Sequence, residues 1–444
     1  MDVRIVATPG LGDSTYVLGF DGFGLVVDPQ RDIDRFERVV EDLGVEIRWI
    51  LETHLHNDYV SGAKDLAASL GAELVVPAGA APVYRHRPAF HNEQLTGGPI
   101  TIRPLHTPGH TPEHVSYVVV IDGVDRAVFT GGSLLVGSAG RSDLLGSERA
   151  DSLARLQYRS VKRLAELPDS TVLYPTHGAG SFCTASQTSL GVSDIGTEKR
   201  TNPVLAHPDI ETFVAAHLSG LAAFPSYYRH MGAANVAGVP ALKLETPPIL
   251  SESDLSRLPA GTTVIDARPK SDFGAGHLPG SIGVELRDDF GVWVGWVAEF
   301  DTDLVLVVNP DQDAEEAIRQ LGRIGFDHVV GLVTNLPDWS VDLASHQVVG
   351  LESFLRQLDG DAQLLDVRAP SEWETGVIEG SILGYAPDVA SSVPENLDRS
   401  RPVLIACGTG YRASVVASFL EQEGFDPVVL AGAGVPDVLS ALHK

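Results

Sequence analysis

The feature that most constrains this chain is an internal repeat. Residues 264–282 read VIDARPKSDFGAGHLPGSI and residues 364–382 read LLDVRAPSEWETGVIEGSI, a constant offset of 100 residues (364 against 264). The offset superposes Asp266 on Asp366, Arg268 on Arg368, Ser271 on Ser371, Gly276 on Gly376 and Gly280-Ser281 on Gly380-Ser381. Towards the ends, Gly325-Phe326 answers Gly424-Phe425. Chance supplies one or two such identities but not an ordered set, so the pattern predicts two copies of an α/β unit of about 100 residues each. Upstream, β-branched runs at 24–28, 49–52, 115–121 and 127–130 alternate with helical periodicity at 33–43 and 61–70, the latter opening with Ser61 as a cap. Such alternation is that of an α/β protein. The adjacent prolines in 244–250 (LETPPIL) mark a boundary. Three domains are expected across the 444 residues: 1–243, 250–345 and 348–444.

Charge narrows the function classes. Asp and Glu number 59 against 32 Lys and Arg, a formal net charge of −27. That field repels phosphate backbones and anionic lipid, so neither nucleic acid nor membrane is expected as a partner. The apolar runs have strand length, and the first residues lack a basic segment followed by an apolar core. The two cysteines, Cys183 and Cys407, form no disulfide framework and suit a reducing, cytoplasmic setting.

Cys407 stands in an informative context. A short apolar run at 401–406 leads into Cys407-Gly408-Thr409-Gly410-Tyr411-Arg412, and helical periodicity follows over 413–422. Strand, glycine-containing loop and helix make a cradle whose amides and helix dipole converge on the loop. A thiol there is expected to ionise near neutrality and act as a nucleophile, with Arg412 holding an anionic group. The loop CGTGYRAS, with LDVRAPSEW upstream, resembles the rhodanese family. The resemblance implies that Cys407 carries a persulfide, Arg412 binds the donor's sulfonate, and the amides of 408–412 stabilise the transferred sulfur. Val377 stands where that family often has His, as His277 does in the first copy. The first copy's equivalent stretch, Val308-Asn309-Pro310-Asp311-Gln312-Asp313, has neither Cys nor Arg and brings carboxylates where an anion should bind. It is read as a degenerate copy retained for packing or recognition.

Histidines mark the first 243 residues. Thr53-His54-Leu55-His56-Asn57-Asp58-Tyr59 follows a strand-like run, and in an extended segment His54, His56 and Asp58 share one face. His110 and His177 follow turn signals, and imidazoles with a carboxylate converging from strand ends suit Zn²⁺ or Fe²⁺. Any one histidine alone reads as a surface or supporting residue, which is where His86, His91, His106 and His114 are left. Cys183 reads as a small buried side chain.

Residues 1–243 resemble the metallo-β-lactamase superfamily, and within it the persulfide dioxygenase branch, through His106–His110, 129–131 (FTG), 177–181 (HGAGS), 198–203 (EKRTNP) and 227–231 (YYRHM). Fusion to two rhodanese copies, the first without cysteine, is itself an arrangement of that family. The resemblance implies an αββα sandwich followed by two α/β domains with parallel sheets. It further implies one divalent metal, Fe or Zn, and oligomerisation of like chains. Two departures weaken the implied site: Tyr59 replaces a His ligand and Gly132 an Asp ligand. The leading expectation is therefore a sulfurtransferase that moves sulfane sulfur from thiosulfate or a persulfide through Cys407 to a thiol such as glutathione. The alternatives are a persulfide dioxygenase with non-haem iron acting on glutathione persulfide, a Zn-dependent hydrolase, and a non-catalytic sulfur-sensing scaffold.

Overall fold

The computed structural model describes residues 1–185 and 191–443. The chain forms two compact units, Met1–Lys243 with Arg319–Gly325, and Leu244–Ile318 with Phe326–Lys444. Among the described residues, no helix is long and apolar enough to cross a membrane.

The first unit contains two six-stranded sheets. Strand Asp13–Phe20 shows how sequence sets the layers: Tyr16 and Leu18 join the core between the sheets, whereas Val17 points to the opposite face. That alternation has the period of two that a strand covered on both sides requires. Leu25, Val27, Trp49 and Leu51 of the first sheet meet Ile102, Tyr117, Val119 and Phe129 of the second in one apolar cluster. Full burial of each such side chain stabilises the fold by about 1.5–3 kcal/mol. On the outer faces, Phe36 and Val40 of helix Asp34–Leu43 and Leu66 of helix Ala63–Leu70 cover Val17, Val26 and Ile50. Val161 and Leu164 of helix Ser147–Leu164 cover Val118, Val128 and Leu173 of the second sheet. Helix, sheet, sheet and helix thus stack in the expected αββα order. The second helix starts two residues after Ser61, whose hydroxyl oxygen accepts the Ala63 amide at 3.0 Å.

The second unit holds a four-stranded and a five-stranded sheet, both wholly parallel. The repeat is visible in atoms as well as letters. Strands Thr263–Asp266 and Gln363–Asp366 open the matching segments. In the first copy, Arg268 Nη2 donates to Asp266 Oδ2 at 2.6 Å and to the Gly276 carbonyl at 2.7 Å. In the second, Arg368 Nη2 makes both bonds to Asp366 and Gly376 at 2.7 Å. Ser281 and Ser381 each donate to the carbonyl three residues back, at 2.7 Å in both copies. A buried arginine is stable only when its donors are met, and here a carboxylate and a carbonyl meet them.

Candidate functional sites

The histidine site is assembled by loops at strand ends. Asp28 directly follows strand Phe23–Val27 and adopts φ +54°, an uncommon conformation for a non-glycine residue. Its side chain explains why that conformation persists. Oδ1 accepts the Thr53 amide at 2.7 Å, and Oδ2 accepts the Thr53 hydroxyl at 2.7 Å and the Thr176 hydroxyl. One buried carboxylate therefore fixes both the loop that carries His54 and the residue that precedes His177.

Three imidazoles converge, those of His54, His110 and His177. Their hydrogen bonds fix which nitrogen carries hydrogen. His110 Nδ1 faces the Arg141 carbonyl at 2.7 Å, and His177 Nδ1 faces Asp13 Oδ1 at 2.7 Å. His54 Nδ1 lies 2.8 Å from the Thr53 hydroxyl oxygen, whose own hydrogen goes to Asp28. Each Nδ1 must therefore donate, leaving three Nε2 lone pairs. His54 Nε2 and His177 Nε2 are 3.4 Å apart, and His110 Nε2 is buried without a hydrogen-bond partner. Burial, followed by the neighbouring rings, holds the pKa of His54 and of His110 well below the ordinary value. Burial also lowers that of His177. Neutral imidazoles with unshared lone pairs are the donor set a divalent cation takes, and the carbonyl and carboxylate behind them are the outer partners such ligands use. The residues therefore fit one metal ion.

The sequence expectation for 54–58 needs correction. That stretch is not extended: the strand ends at Leu51, and 52–60 run through bends. The bends nevertheless keep all three side chains at one buried cluster: ligand atoms of Asp28, His54 and His56 lie within 4.8 Å of one another, as do those of His56, Asp58 and His177. His56 Nε2 lies 3.1 Å from Glu52 Oε2, 3.3 Å from Asp28 Oδ1 and 3.0 Å from the Tyr59 hydroxyl. Burial opposes a charge on His56, but Asp28 and Glu52 outweigh it and hold its pKa well above the ordinary value. Asp58 instead approaches His177 Nδ1 at 3.4 Å. Burial pushes both Asp58 and Asp13 up to about 7.

His114, set aside as a supporting residue, stacks on His54 with ring centres 5.0 Å apart and accepts the Gly132 amide at 3.0 Å. A Cβ at position 132 would stand 2.3 Å from His110 Cδ2, so the missing carboxylate has been replaced by close ring packing. The weakened site expected from Tyr59 and Gly132 thus appears as a compact three-histidine cluster. Asp13, Asp28 and His114 escaped the sequence reading because their partners lie tens of residues away, and Glu52 because it sits in the strand-like run ahead of the histidines. Cys183 is fully buried, and burial raises its pKa well above the ordinary value.

The second site is the Cys407 loop, between strand Val403–Ala406 and helix Tyr411–Gln422. The Gly410 amide donates to Cys407 Sγ at 3.1 Å. Gly410 has φ +90°, and a Cβ there would lie 2.5 Å from the Leu430 carbonyl oxygen, so only glycine fits. Arg412 is held by both carboxylate oxygens of Glu372, Nη2 to Oε1 at 2.9 Å. Burial works against the charge on each partner, yet the pair raises the pKa of Arg412 and lowers that of Glu372. The thiol expected to be reactive is buried: Cys407 is only 1% exposed. Of the other loop residues, Gly410 and Tyr411 are buried, Gly408 and Arg412 are half-buried, and Thr409 is exposed. Cys407 directly follows the fully buried strand Val403–Ala406, which carries it into the interior.

Comparison with known proteins agrees with this architecture. Residues 8–177 match the metallo-beta-lactamase superfamily, and residues 351–438 match the rhodanese-like domain. A probable metallo-hydrolase of Burkholderia pseudomallei is 34% identical over 31% of this chain and 54% of its own length. A hydroxyacylglutathione hydrolase of Methylobacillus flagellatus is 29% identical over 36% of this chain and 60% of its own length. This chain thus spans little more than half the length of these relatives. A solved metallo-beta-lactamase of Staphylococcus aureus is 27% identical with a TM-score of 0.68, covering 75% of this chain and 99% of that one. The chain carries a metallo-β-lactamase-type domain at its amino end and a rhodanese-like domain at its carboxyl end.

Proposed function

We propose that the protein is a sulfurtransferase whose nucleophile is Cys407. The carrying observation is the Gly410 amide directed at Cys407 Sγ, at the start of a helix whose second residue is Arg412. A sulfane donor such as thiosulfate exchanges for Glu372 on Arg412, anion for anion, and opens the loop. The Cys407 thiolate attacks the outer sulfur, a new S–S bond forms, and sulfite leaves with the electron pair of the broken bond. An acceptor thiolate such as glutathione then attacks the outer sulfur of the Cys407 persulfide, taking that sulfur and releasing the Cys407 thiolate. The decisive measurement is thiosulfate-dependent sulfur transfer by Cys407→Ser. Loss of transfer with an unchanged melting temperature is expected, and undiminished transfer refutes the assignment.

A second reading concerns the first unit, and the three converging Nε2 lone pairs favour it. We infer that His54, His110 and His177 hold one iron or zinc ion and that the site acts on glutathione-linked sulfur compounds. The Methylobacillus relative, a hydroxyacylglutathione hydrolase, supports that substrate class. When bound, the ion supplies Lewis acidity, with one-electron chemistry added if it is iron. Around it, Asp13 keeps His177 oriented, and the neighbouring Asp58 is a carboxyl able to exchange a proton near neutrality. Metal content with oxygen uptake on glutathione persulfide, set against hydrolysis of an acyl-glutathione thioester, separates dioxygenase from hydrolase. A metal-free protein inactive in both assays leaves the unit as a binding module and overturns this reading.

A further inference from the structure

A different cluster lies within the second unit, where the two repeat copies meet. His277 follows helix Lys270–Ala275, His346 directly precedes strand Gln347–Val349, and Glu421 sits in the last turn of helix Tyr411–Gln422. One ligand atom from each lies within 4.8 Å of those of the other two. The backbone fixes all three positions. His277 exchanges two amide–carbonyl bonds with Ala344 at 2.9 Å, and the His346 amide donates to the Gly274 carbonyl at 3.0 Å. The His277 ring also stacks on Phe273, with centres 3.9 Å apart.

The donor inventory leaves a place for a cation. His277 Nδ1 lies 2.8 Å from the Phe273 carbonyl, which can only accept, so Nδ1 carries the hydrogen. His277 Nε2 then directs a lone pair at Glu421 Oε2, 3.0 Å away. Two acceptors at that distance repel unless a positive charge joins them. A ring proton on each histidine would form two ion pairs with Glu421, whereas one ion replaces both. His346 has no exposed side-chain surface, its Nδ1 lies 3.3 Å from Glu421 Oε1, and neither of its nitrogens makes a directed hydrogen bond. An ion serves all three residues at once. Zinc ligands at about 2.0–2.1 Å stand roughly 3.4 Å apart around a tetrahedron, within the 4.8 Å that encloses the three ligand atoms here. The Phe273 carbonyl behind His277 is the outer partner that a ligating imidazole uses. Glu421 is 16% exposed, which leaves water access to a fourth position.

We propose that His277, His346 and Glu421 bind a divalent transition-metal cation of the zinc class, which ties the first repeat copy to the helix that carries Arg412. The ion is structural: its three ligands come from three segments, and none belongs to the Cys407 loop. The site also gives a use to His277, whose counterpart Val377 is 40% exposed in the second copy.

The test uses the full chain with His54→Ala, His110→Ala and His177→Ala, which removes the histidine trio of the first unit. Titration with Co²⁺ is expected to give the visible bands of a four-coordinate ion at one equivalent, displaced by Zn²⁺. Adding Glu421→Gln is expected to weaken binding by about a hundredfold or more. Absence of these bands, or bands indifferent to Glu421→Gln, overturns the proposal. As a check on misfolding, Glu421→Gln and His346→Gln are each made in the otherwise unaltered chain and dialysed against Zn²⁺. Each is expected to retain one equivalent less zinc than the parent at an intact fold by circular dichroism, and equal zinc overturns the proposal.

Discussion

The two repeat copies share a framework and differ in what fills it. Both carry the buried Asp–Arg pair and the backbone bonds it makes. Both place a strand beside it in the same register, Thr263 opposite Leu304 and Gln363 opposite Val403, so that Val308 occupies the place of Cys407. The loops then diverge. In the second copy the Gly410 amide turns to a sulfur, and Glu372 holds Arg412. In the first copy the Asn309 amide donates to Gln312 Oε1 at 2.8 Å, and Gln312 Nε2 donates to the Ala267 carbonyl at 2.8 Å. Asp272, at the place of Glu372, accepts from Asn309 Nδ2 at 2.7 Å. The first loop is thus closed on itself by amide side chains. The scaffold specifies the fold, and a handful of loop residues decides whether an anion or nucleophile site exists on it.

The largest effect that tests this division is chemical. Cys407→Ser is expected to lower sulfur transfer by about a thousandfold or more, and adding Val308→Cys is expected not to restore it. The first loop lacks an arginine and carries Asp311 and Asp313, which repel both a thiolate and its anionic donor. Transfer rescued by Val308→Cys would mean that scaffold alone confers activity. Next in size comes the framework itself. Arg268→Ala and Arg368→Ala each strand a buried carboxylate and are expected to cost about 3–5 kcal/mol of stability, read by denaturant unfolding. Burial already raises the pKa of Asp266 despite its arginine, so loss of the partner leaves it without compensation. A variant within error of the parent would show that the shared bonds are incidental.

How far the sequence announced these features follows from the range of the interactions. The repeat was legible because Asp266 and Arg268 pair across two residues and reach Gly276 eight residues on, so the letters and contacts lie in one short window. The αββα layers were legible for the same reason, since alternation along one strand sorts Val17 from Leu18. The roles within 54–58 were not. Asp28 and Glu52 contact His56 within the same cluster, while His110 and His177, over fifty residues distant, gather His54. The partner of Arg412 was not legible because Glu372 lies 40 residues upstream in the chain. Spacing finds ligand types, but the order of partners around a loop comes from the tertiary fold.

A smaller effect separates loop geometry from loop chemistry. Gly410→Ala keeps the thiol and the guanidinium but forces a Cβ against the Leu430 carbonyl at positive φ. It is expected to cost about 1–3 kcal/mol and to lower sulfur transfer with it. Proline already stands in the first loop at Pro310, where no amide is directed at a sulfur. Full activity in Gly410→Ala would break the link between the amide cradle and the reaction.

The smallest effect belongs to Glu372, whose counterpart Asp272 holds an asparagine rather than an arginine. Its side chain is 38% exposed, so solvent screens the pair with Arg412, which is worth about 1 kcal/mol or less. The direction of its pH dependence is nevertheless fixed. Arg412 holds the Glu372 pKa below the ordinary 4.5 against the opposing effect of burial. The pair's stabilisation is therefore present above the unfolded value and is lost as the pH falls through the lower folded value. Glu372→Gln is expected to remove that acid-side component of the melting temperature. At neutral pH the variant no longer offers a carboxylate that competes with thiosulfate for Arg412, so its KM for thiosulfate is expected to fall by up to about fivefold. A KM that rises instead would show that Glu372 positions Arg412 for the donor rather than guarding it, and the closed loop would then be the binding-ready form.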